Sequence, residues 1–194
     1  MNRKRKIYLA SASPRRAELL KLINIDFTTL PSDVDETVED DISADILVKQ
    51  LAMLKACDVA KKCKGEYIVI AADTVVCIDD EILGKPKDES DAVVMLKKLS
   101  GKIHTVYTGI CLASQDGTVL SRHCATKVKF KALSDETINA YVKTGEPMDK
   151  AGAYGIQGLG SVLVESVEGD YFNIVGLSVS MLSDMLKEFD YNVL

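Results

Sequence analysis

The sequence predicts an α/β fold, because short apolar segments alternate with helical patterns along its whole length. Ile7–Ala10 has the length of a buried strand, and a helix start at Ser13 and Pro14 follows it directly. Tyr67–Ala72 is a continuous apolar run, typical of a central strand that is covered on both faces. The 194 residues correspond to one domain spanning 1–194, or to two lobes that share a sheet.

In the first half of the chain, three further elements are expected. The patterns predict a helix over about Pro14–Ile23, a half-buried strand over Ile25–Leu30 and a long helix over roughly Ser43–Lys62. Leu47, Leu51 and Leu54 recur at helical spacing in the long helix and predict its buried stripe.

The second half continues the alternation. Asp79-Asp80 predicts a hairpin turn between Val75–Ile78 and Glu81–Leu83. The remaining expected elements are a helix over Glu89–Leu99 capped by Asp88, strands over Thr105–Ala113 and Val119–Leu133, a helix from Ser134 to about Gly145, strands over Ser161–Glu165 and Tyr171–Val175, and a final helix over Ser178–Phe189.

Charge and composition exclude several functional classes. A net charge of −5 argues against a basic surface for nucleic acid, so an anion site must be a local pocket of Arg and Lys. With only two histidines, His104 and His123, a zinc enzyme or a Ser/His hydrolase is poorly supported.

Cysteine usage and hydropathy bear on the compartment. The five cysteines form no CxxC pair, which favours reduced thiols. No apolar run approaches the roughly 20 residues of a membrane span, and Ile7–Ala10 is too short for the core of a signal peptide. We therefore expect a soluble cytoplasmic protein with no membrane partner.

Two arginines occupy an unusual place at the predicted start of the first helix. Arg15 and Arg16 fall in the first turn, where the helix dipole favours acids and disfavours cations. Two guanidinium groups beside free backbone N–H groups are explained if an anion binds among them. The alternative is a solvated arginine pair.

Three further segments suggest a ligand site. Asp73, expected at the carboxyl end of the buried strand, lies where open α/β sheets bind ligands; the alternative is an Asp that caps a turn. The bend at Gly84-Lys85-Pro86 presents Lys85. Four glycines fall within residues 152–160, the glycine-rich loop, and permit close approach of backbone to a ligand. Neither a GxGxxG fingerprint nor a P-loop is present in the sequence.

Four segments also carry a resemblance. SASPRR (11–16), AADT (71–74), LGKP (83–86) and DKAGAYGIQG (149–158) occur in order and resemble the motifs of the Maf family of nucleoside triphosphate pyrophosphatases. The resemblance implies a long twisted mixed sheet flanked by helices, with a central cleft between two lobes, of the Maf/inosine-triphosphatase type. It also suggests a homodimer.

The same resemblance implies roles for single residues. Asp73 would be catalytic, and Glu36, in the acidic loop after Pro31, would share a divalent cation with it. Hard carboxylate ligands suit Mg²⁺ or Mn²⁺, and the two acids could exchange the roles of base and metal ligand. The triphosphate would be bound by a set of mostly cationic residues: Ser13, Arg15, Arg16, Lys55 and Lys85. The alternatives are that the loop with Glu36 is only solvated, as acidic loops usually are, and that Lys55, at the edge of a buried stripe, extends to water.

Gln157 bears on base preference. Its amide can pair with N3–H and O4 of uracil or thymine, or in the flipped orientation with cytosine, so the residue alone does not choose. The combination of Arg15, Thr74 and Gln157 resembles the branch of the family that acts on dTTP and UTP. A rival interpretation is a nucleotide-binding regulator that does not cleave its ligand, since Maf proteins are associated with septum formation and cell-division arrest.

Overall fold

The computed structural model describes residues 5–35 and 42–194. Their strands are β1 (Lys6–Leu9), β2 (Thr28–Thr29), β3 (Tyr67–Ile78), β4 (Glu81–Leu83), β5 (Ile103–Ser114), β6 (Val119–Phe130) and β7 (Val164–Glu168). Their α-helices are α1 (Pro14–Leu22), α2 (Ala44–Ala60), α3 (Glu89–Leu99), α4 (Asp135–Val142), α5 (Tyr171–Val175) and α6 (Val179–Lys187). Short 3₁₀ helices cover Glu146–Asp149, Ala151–Ala153 and Gly158–Leu163.

The described strands form one mixed sheet of seven strands. The order is β2-β1-β3-β5-β6-β7, and β4 pairs with β3 outside this path. β1 is parallel to both β2 and β3, whereas β4 is antiparallel to β3 and β7 is antiparallel to β6. The predicted α/β class, with a mixed sheet flanked by helices, is confirmed.

The chain divides into two compact units. Unit 1 comprises residues 1–73, 108–124 and 176–194, and unit 2 comprises residues 74–107 and 125–175. The boundaries after residues 73, 107 and 124 fall inside β3, β5 and β6, so each of these long strands contributes residues to both units.

The core of unit 1 joins α2 to the first half of β3 and to β5. Small side chains of α2, Ala52 and Ala56, pack with Val69 and Ala71 of β3. Gly109 of β5 brings the backbones into contact, because a Cβ there would lie 2.2 Å from the main-chain oxygen of Val48. The glycine therefore fixes how closely α2 approaches the sheet.

The buried stripe of α2 differs from the expected one. Leu51 is buried as predicted, but Leu54 is 37% exposed, and the interior positions include Val48, Ala52 and Ala56. The close approach at Gly109 selects small residues at the centre of the interface. The larger Leu54 is displaced to the edge for that reason, so its assignment to the stripe was wrong.

β3 is longer than the sequence suggested. It runs without interruption through Asp73 to Ile78. Asp73 therefore lies inside its own strand and not at the end, contrary to the prediction. Its parallel neighbour β1 pairs with it only as far as Leu9 opposite Ile70. Asp73 therefore lies beyond the carboxyl end of the neighbouring strand. The predicted hairpin with β4 is confirmed, with Asp79 and Asp80 at positive φ in its turn.

Unit 2 has its own core, and one of its elements reverses a prediction. Leu96, Leu99, Phe130 and Ile138 are among the buried residues that join α3, β6 and α4. Tyr171–Val175, expected as a strand, is the short helix α5. Its start is fixed by Asp170, whose Oδ1 accepts hydrogen bonds from the backbone N–H groups of the second and third residues that follow.

Two smaller differences concern strand length. The strand expected over Ile25–Leu30 is reduced to Thr28–Thr29, and the strand expected over Ser161–Glu165 begins only at Val164, after a 3₁₀ helix. In the part of the chain that the structure describes, no helix is both long and apolar enough to cross a membrane.

Candidate active site

The turn between β1 and α1 is organised by a buried serine. Ser11 Oγ accepts a hydrogen bond from the backbone N–H of Ser13 at 3.2 Å and another from Arg16 Nη1 at 3.2 Å. Arg16 Nε donates to the carbonyl oxygen of Gly176 at 2.9 Å, which ties the turn to the segment before α6. Arg16 thus holds the turn in place with two of its donor nitrogens.

The N-terminus of α1 has features of an anion site. Ser13 is the N-cap residue, as predicted, but among the described residues its hydroxyl makes no capping hydrogen bond. The first turn carries Arg15 and Arg16 and no acidic residue. A helix end without a side-chain cap presents backbone N–H groups, and an anion can accept from them beside the guanidinium groups.

An ion pair joins α2 to β3 in unit 1. Lys55 Nζ of α2 and Asp73 Oδ1 of β3 are 2.6 Å apart, and each side chain is only 12% exposed. The position of Lys55 follows from α2 packing through Ala52 and Ala56, because these place position 55 beside the interior stripe. The structure therefore brings together two of the predicted site residues.

The Asp73 carboxylate is suited to accept a proton or a cation. It is largely buried and has an ammonium group as counter-charge, while Oδ2 makes no hydrogen bond with any residue that the structure describes. A buried carboxylate requires such a partner because desolvation disfavours an isolated charge. Its free oxygen can bind a water molecule or a metal ion.

A divalent cation fits this donor set. Within residues 5–35 and 42–194, no group of three or more His, Cys, Asp or Glu side chains could hold a metal by itself. Mg²⁺ is usually held by one or two carboxylates together with substrate phosphate oxygens, so one buried carboxylate is compatible with it. Glu36, the predicted second ligand, lies outside the described residues.

Unit 2 holds the other predicted residues. Thr74 follows Asp73 on β3 and is half-buried, whereas Lys85 and Gln157 are exposed. The backbone N–H of Gly152 donates to the carbonyl oxygen of Gly84 at 2.9 Å, so the bend that carries Lys85 is joined to the glycine-rich loop.

The glycine-rich loop packs closely against β3. Gly152 has φ +66°, and a Cβ there would lie 2.7 Å from the side chain of Val76. The loop is anchored further by Tyr154, which is buried and contacts His104 Nε2 through its hydroxyl at 2.7 Å. Gln157 follows in extended backbone (φ −96°, ψ 167°). Its side chain therefore projects from a well-fixed segment.

Sequence reasoning missed three residues of these arrangements. Ser11 organises the β1–α1 turn, and Tyr141 and Glu146 hold the glycine-rich loop by hydrogen bonds to its backbone. Ser11 could have been found from the sequence, because it is a polar residue between an apolar strand and a helix start. No sequence pattern indicates Tyr141 and Glu146, since their role depends on the loop folding back onto them.

The chain is similar to proteins of known families. Residues 6–189 match the Maf family, described as Maf-like protein. The chain is 56% identical over 196 aligned residues to a dTTP/UTP pyrophosphatase of Acetivibrio thermocellus, covering 97% of this chain and 98% of that one. It is 52% identical over 191 residues to a dTTP/UTP pyrophosphatase of Thermoanaerobacter sp. (strain X514), covering 97% and 100%.

A solved structure supports the fold. The Staphylococcus aureus Ham1 protein has a TM-score of 0.57 and 15% sequence identity, covering 95% of this chain and 100% of that one. At this level of identity the likeness concerns the architecture alone.

Proposed function

The chain belongs to the Maf family, and from this membership we propose that it hydrolyses dTTP and UTP to the nucleoside monophosphate and pyrophosphate. It is a hydrolase of nucleotide metabolism, as its relatives at more than 50% identity indicate. The observation that carries the chemistry is the Lys55–Asp73 ion pair at 2.6 Å, which keeps a carboxylate in a largely buried position.

Asp73 is the group that orients and deprotonates the attacking water in this proposal. Its free Oδ2 accepts a hydrogen bond from the water and then the proton, as a general base. The water oxygen forms the new bond to the α-phosphorus, the anhydride bond between the α- and β-phosphates breaks, and pyrophosphate leaves.

The cationic residues bind the triphosphate. Arg15, Arg16 and the N-terminus of α1 supply donors in unit 1, and Lys85 supplies an exposed ammonium group in unit 2. Lys55 belongs to the same set and also gives Asp73 its counter-charge. Fixed cations of this kind stabilise the charge that develops on phosphate oxygens in the transition state.

We further infer that Mg²⁺ or Mn²⁺ binds with the substrate, held by Asp73, by Glu36 and by phosphate oxygens. Such an ion would neutralise phosphate charge and polarise the bond that breaks. Carboxylate oxygens are the ligands that these ions prefer. Removal of the metal with a chelator should abolish turnover, and addition of Mg²⁺ should restore it.

Base preference is assigned to Gln157 together with Arg15 and Thr74. The Gln157 amide pairs with N3–H and O4 of uracil or thymine. Acceptance of both dTTP and UTP requires room at the 5-methyl position and no demanding contact at the 2′-hydroxyl.

The decisive experiment supplies purified protein with Mg²⁺ and a panel of nucleoside triphosphates, and measures pyrophosphate and orthophosphate separately. We expect pyrophosphate from dTTP and UTP. Release of orthophosphate would contradict the proposed bond. Tight binding of nucleotide without any metal-dependent turnover would instead favour a nucleotide-binding regulator.

Two further properties follow from the family. We propose a cytoplasmic location, with which five free cysteines are compatible. We also propose a homodimer, which light scattering of the purified protein would test by a mass of twice 21.2 kDa.

A further inference from the structure

We propose that the Glu146 carboxylate, acting with the Tyr141 hydroxyl, positions the glycine-rich loop around Gln157 and thereby sets the selectivity for the base. This inference rests on the proposed function, in which Gln157 reads the base. Glu146 and Tyr141 are positioning residues in it, since they act through the loop.

Glu146 binds the backbone immediately after Gln157. Its Oε1 accepts a hydrogen bond from the N–H of Gly160 at 2.9 Å, and its Oε2 accepts one from the N–H of Leu159 at 3.0 Å. One carboxylate therefore holds two consecutive peptide groups, which fixes both the position and the direction of the chain there.

Tyr141 extends this attachment to the other side of Gln157. Its hydroxyl donates to Glu146 Oε1 at 2.9 Å and accepts from the N–H of Gly155 at 3.2 Å. Gly155 lies two residues before Gln157, and Leu159 lies two residues after it. The five-residue segment centred on Gln157 is thus fastened at both ends to a single Tyr–Glu pair.

The packing leaves little freedom for the segment to move. A Cβ on Gly160 would lie 2.3 Å from the carbonyl oxygen of Gly155 and 2.6 Å from the Tyr141 hydroxyl. A Cβ on Gly158, which has φ +67°, would lie 2.9 Å from Glu146 Oε2. The backbone of Gly155 and that of Gly160, the residue just after the segment, therefore lie close together, and both contact the Tyr–Glu pair.

The charge of Glu146 strengthens these contacts. Burial by itself raises its pKa, but hydrogen bonds from Gly160, Leu159 and Tyr141, with Lys150 nearby, hold the pKa of Glu146 below its usual value. It is ionised at neutral pH, so each contact is charge-assisted and stronger than a neutral hydrogen bond.

Gln157 itself depends on this support. The Gln157 side chain is exposed, and its amide makes no hydrogen bond with any residue in the described ranges. No described side chain fixes which way the amide faces, so the placement of its backbone decides what it can reach. A shift of the loop would therefore allow the amide to approach other base edges.

The test compares kcat/KM for dTTP and CTP in Glu146→Gln. The amide keeps the size of the carboxylate but turns one acceptor into a donor that faces a peptide N–H. We expect the dTTP/CTP ratio to fall about tenfold, mainly through a higher KM for dTTP, with kcat within about threefold. Glu168→Gln is the matched control, because Glu168 is exposed and pairs only with Lys127 among the described residues.

A second variant and a coupling measurement keep the test decisive. Tyr141→Phe removes the hydroxyl but leaves two contacts of Glu146, so a smaller loss of selectivity is expected, and it replaces Glu146→Gln if that variant does not fold. In the Gln157→Ala background, Glu146→Gln should change the dTTP/CTP ratio by less than about twofold, because the two residues act through one path.

The outcomes separate the two proposals. Equal losses of selectivity in both backgrounds, or an equal fall in kcat for every substrate, would show a merely structural role and overturn this inference. An active Glu146→Gln enzyme with unchanged selectivity would also overturn it while leaving the proposed function intact. A wild-type protein that releases no pyrophosphate from dTTP would instead overturn the proposed function.

Discussion

Asp73 forms a partly desolvated ion pair with Lys55 and is the proposed general base. Asp73→Asn keeps the size of the side chain but removes the charge and the proton acceptor. We expect kcat/KM for dTTP to fall by about 10²- to 10⁴-fold, the usual contribution of a general base. The substitution also removes the 2.6 Å ion pair between Asp73 and Lys55, at a cost to stability of about 1–3 kcal/mol.

A matched carboxylate separates chemistry from stability in this measurement. Asp79 pairs with Lys102 at 3.0 Å on an exposed turn, with φ +51°, a conformation that Asn tolerates well. Asp79→Asn should therefore keep full activity. Circular dichroism should show that Asp73→Asn is folded, and near-normal turnover in that folded protein would reject Asp73 as the base.

Gln157 is the residue on which the proposed base preference depends. Wild-type protein should act with similar efficiency on dTTP and UTP and at least tenfold less efficiently on CTP, a difference of roughly 1.4 kcal/mol or more. Gln157→Ala should reduce this discrimination more than it reduces kcat, since the amide contacts the base and not the phosphates. Asn139→Ala, which removes an exposed amide on α4, is the control. A Gln157→Ala enzyme with full selectivity would contradict the assignment.

Among the elements, the packing of α2 on β5 determines where Lys55 lies. Gly109→Ala would place a Cβ 2.2 Å from the main-chain oxygen of Val48, so the backbone must move. We expect the free energy of unfolding to fall by about 1–3 kcal/mol, as for other overpacked interiors, and activity to fall because α2 carries Lys55.

Urea denaturation measures this effect. Gly84→Ala is the control for stability alone, because nothing lies within 4 Å of a Cβ at that position and its backbone has no positive φ. Equal stability of Gly109→Ala and wild type would show that α2 can shift without cost and would remove the link between Gly109 and Lys55.

How much of these elements could be predicted depends on where the determining contacts lie. The α3 helix was predicted with its exact bounds, because its signal is local: Asp88 caps it by accepting from the N–H of Asp91. The interior face of α2 was not, because a glycine of a distant strand selects small residues there. Likewise α5 has the composition of a strand but forms a short helix, with Asp170 capping its start.

The site shows the same division. Asp73 was expected in the site from its place after a buried strand and Lys55 from the family resemblance, but their pairing at 2.6 Å was not expected. The arrangement of Tyr141 and Glu146 around the glycine-rich loop was also not expected, since it arises only when residues 155–160 fold back on themselves. Candidate site residues could thus be proposed from the sequence, whereas the contacts that hold them in place from other parts of the chain could not.

For the molecule as a whole, His104 makes stability depend on pH. Its ring is buried against Phe130 and Tyr154, with centroid distances of 5.0 and 5.3 Å, and its Nδ1 has no hydrogen-bond partner among the described residues. Burial lowers the pKa of His104 to about 4. Burial also raises the pKa of Tyr154, so its hydroxyl keeps its proton and supplies no negative charge to the imidazole.

The sign follows from proton linkage. The unfolded chain has an ordinary histidine pKa of about 6.5, so below that pH the unfolded state binds a proton that the folded state excludes. The stabilisation from the neutral imidazole is complete above this pKa and is lost as the pH falls towards about 4. Between pH 7 and pH 5 the expected loss is about 2 kcal/mol.

The variant His104→Gln isolates this contribution, because it removes the titrating group and keeps a hydrogen-bonding partner for Tyr154. Carboxylates that titrate in the same range affect both proteins equally, so they cancel when the wild-type free energy of unfolding is compared with that of the variant. Guanidinium denaturation at several pH values between 5 and 7.5 should show the wild-type curve falling more steeply towards acid, by about 2 kcal/mol over the range. Parallel curves would mean that His104 accepts a proton in the folded state, and hence that water or a carboxylate reaches the imidazole ring.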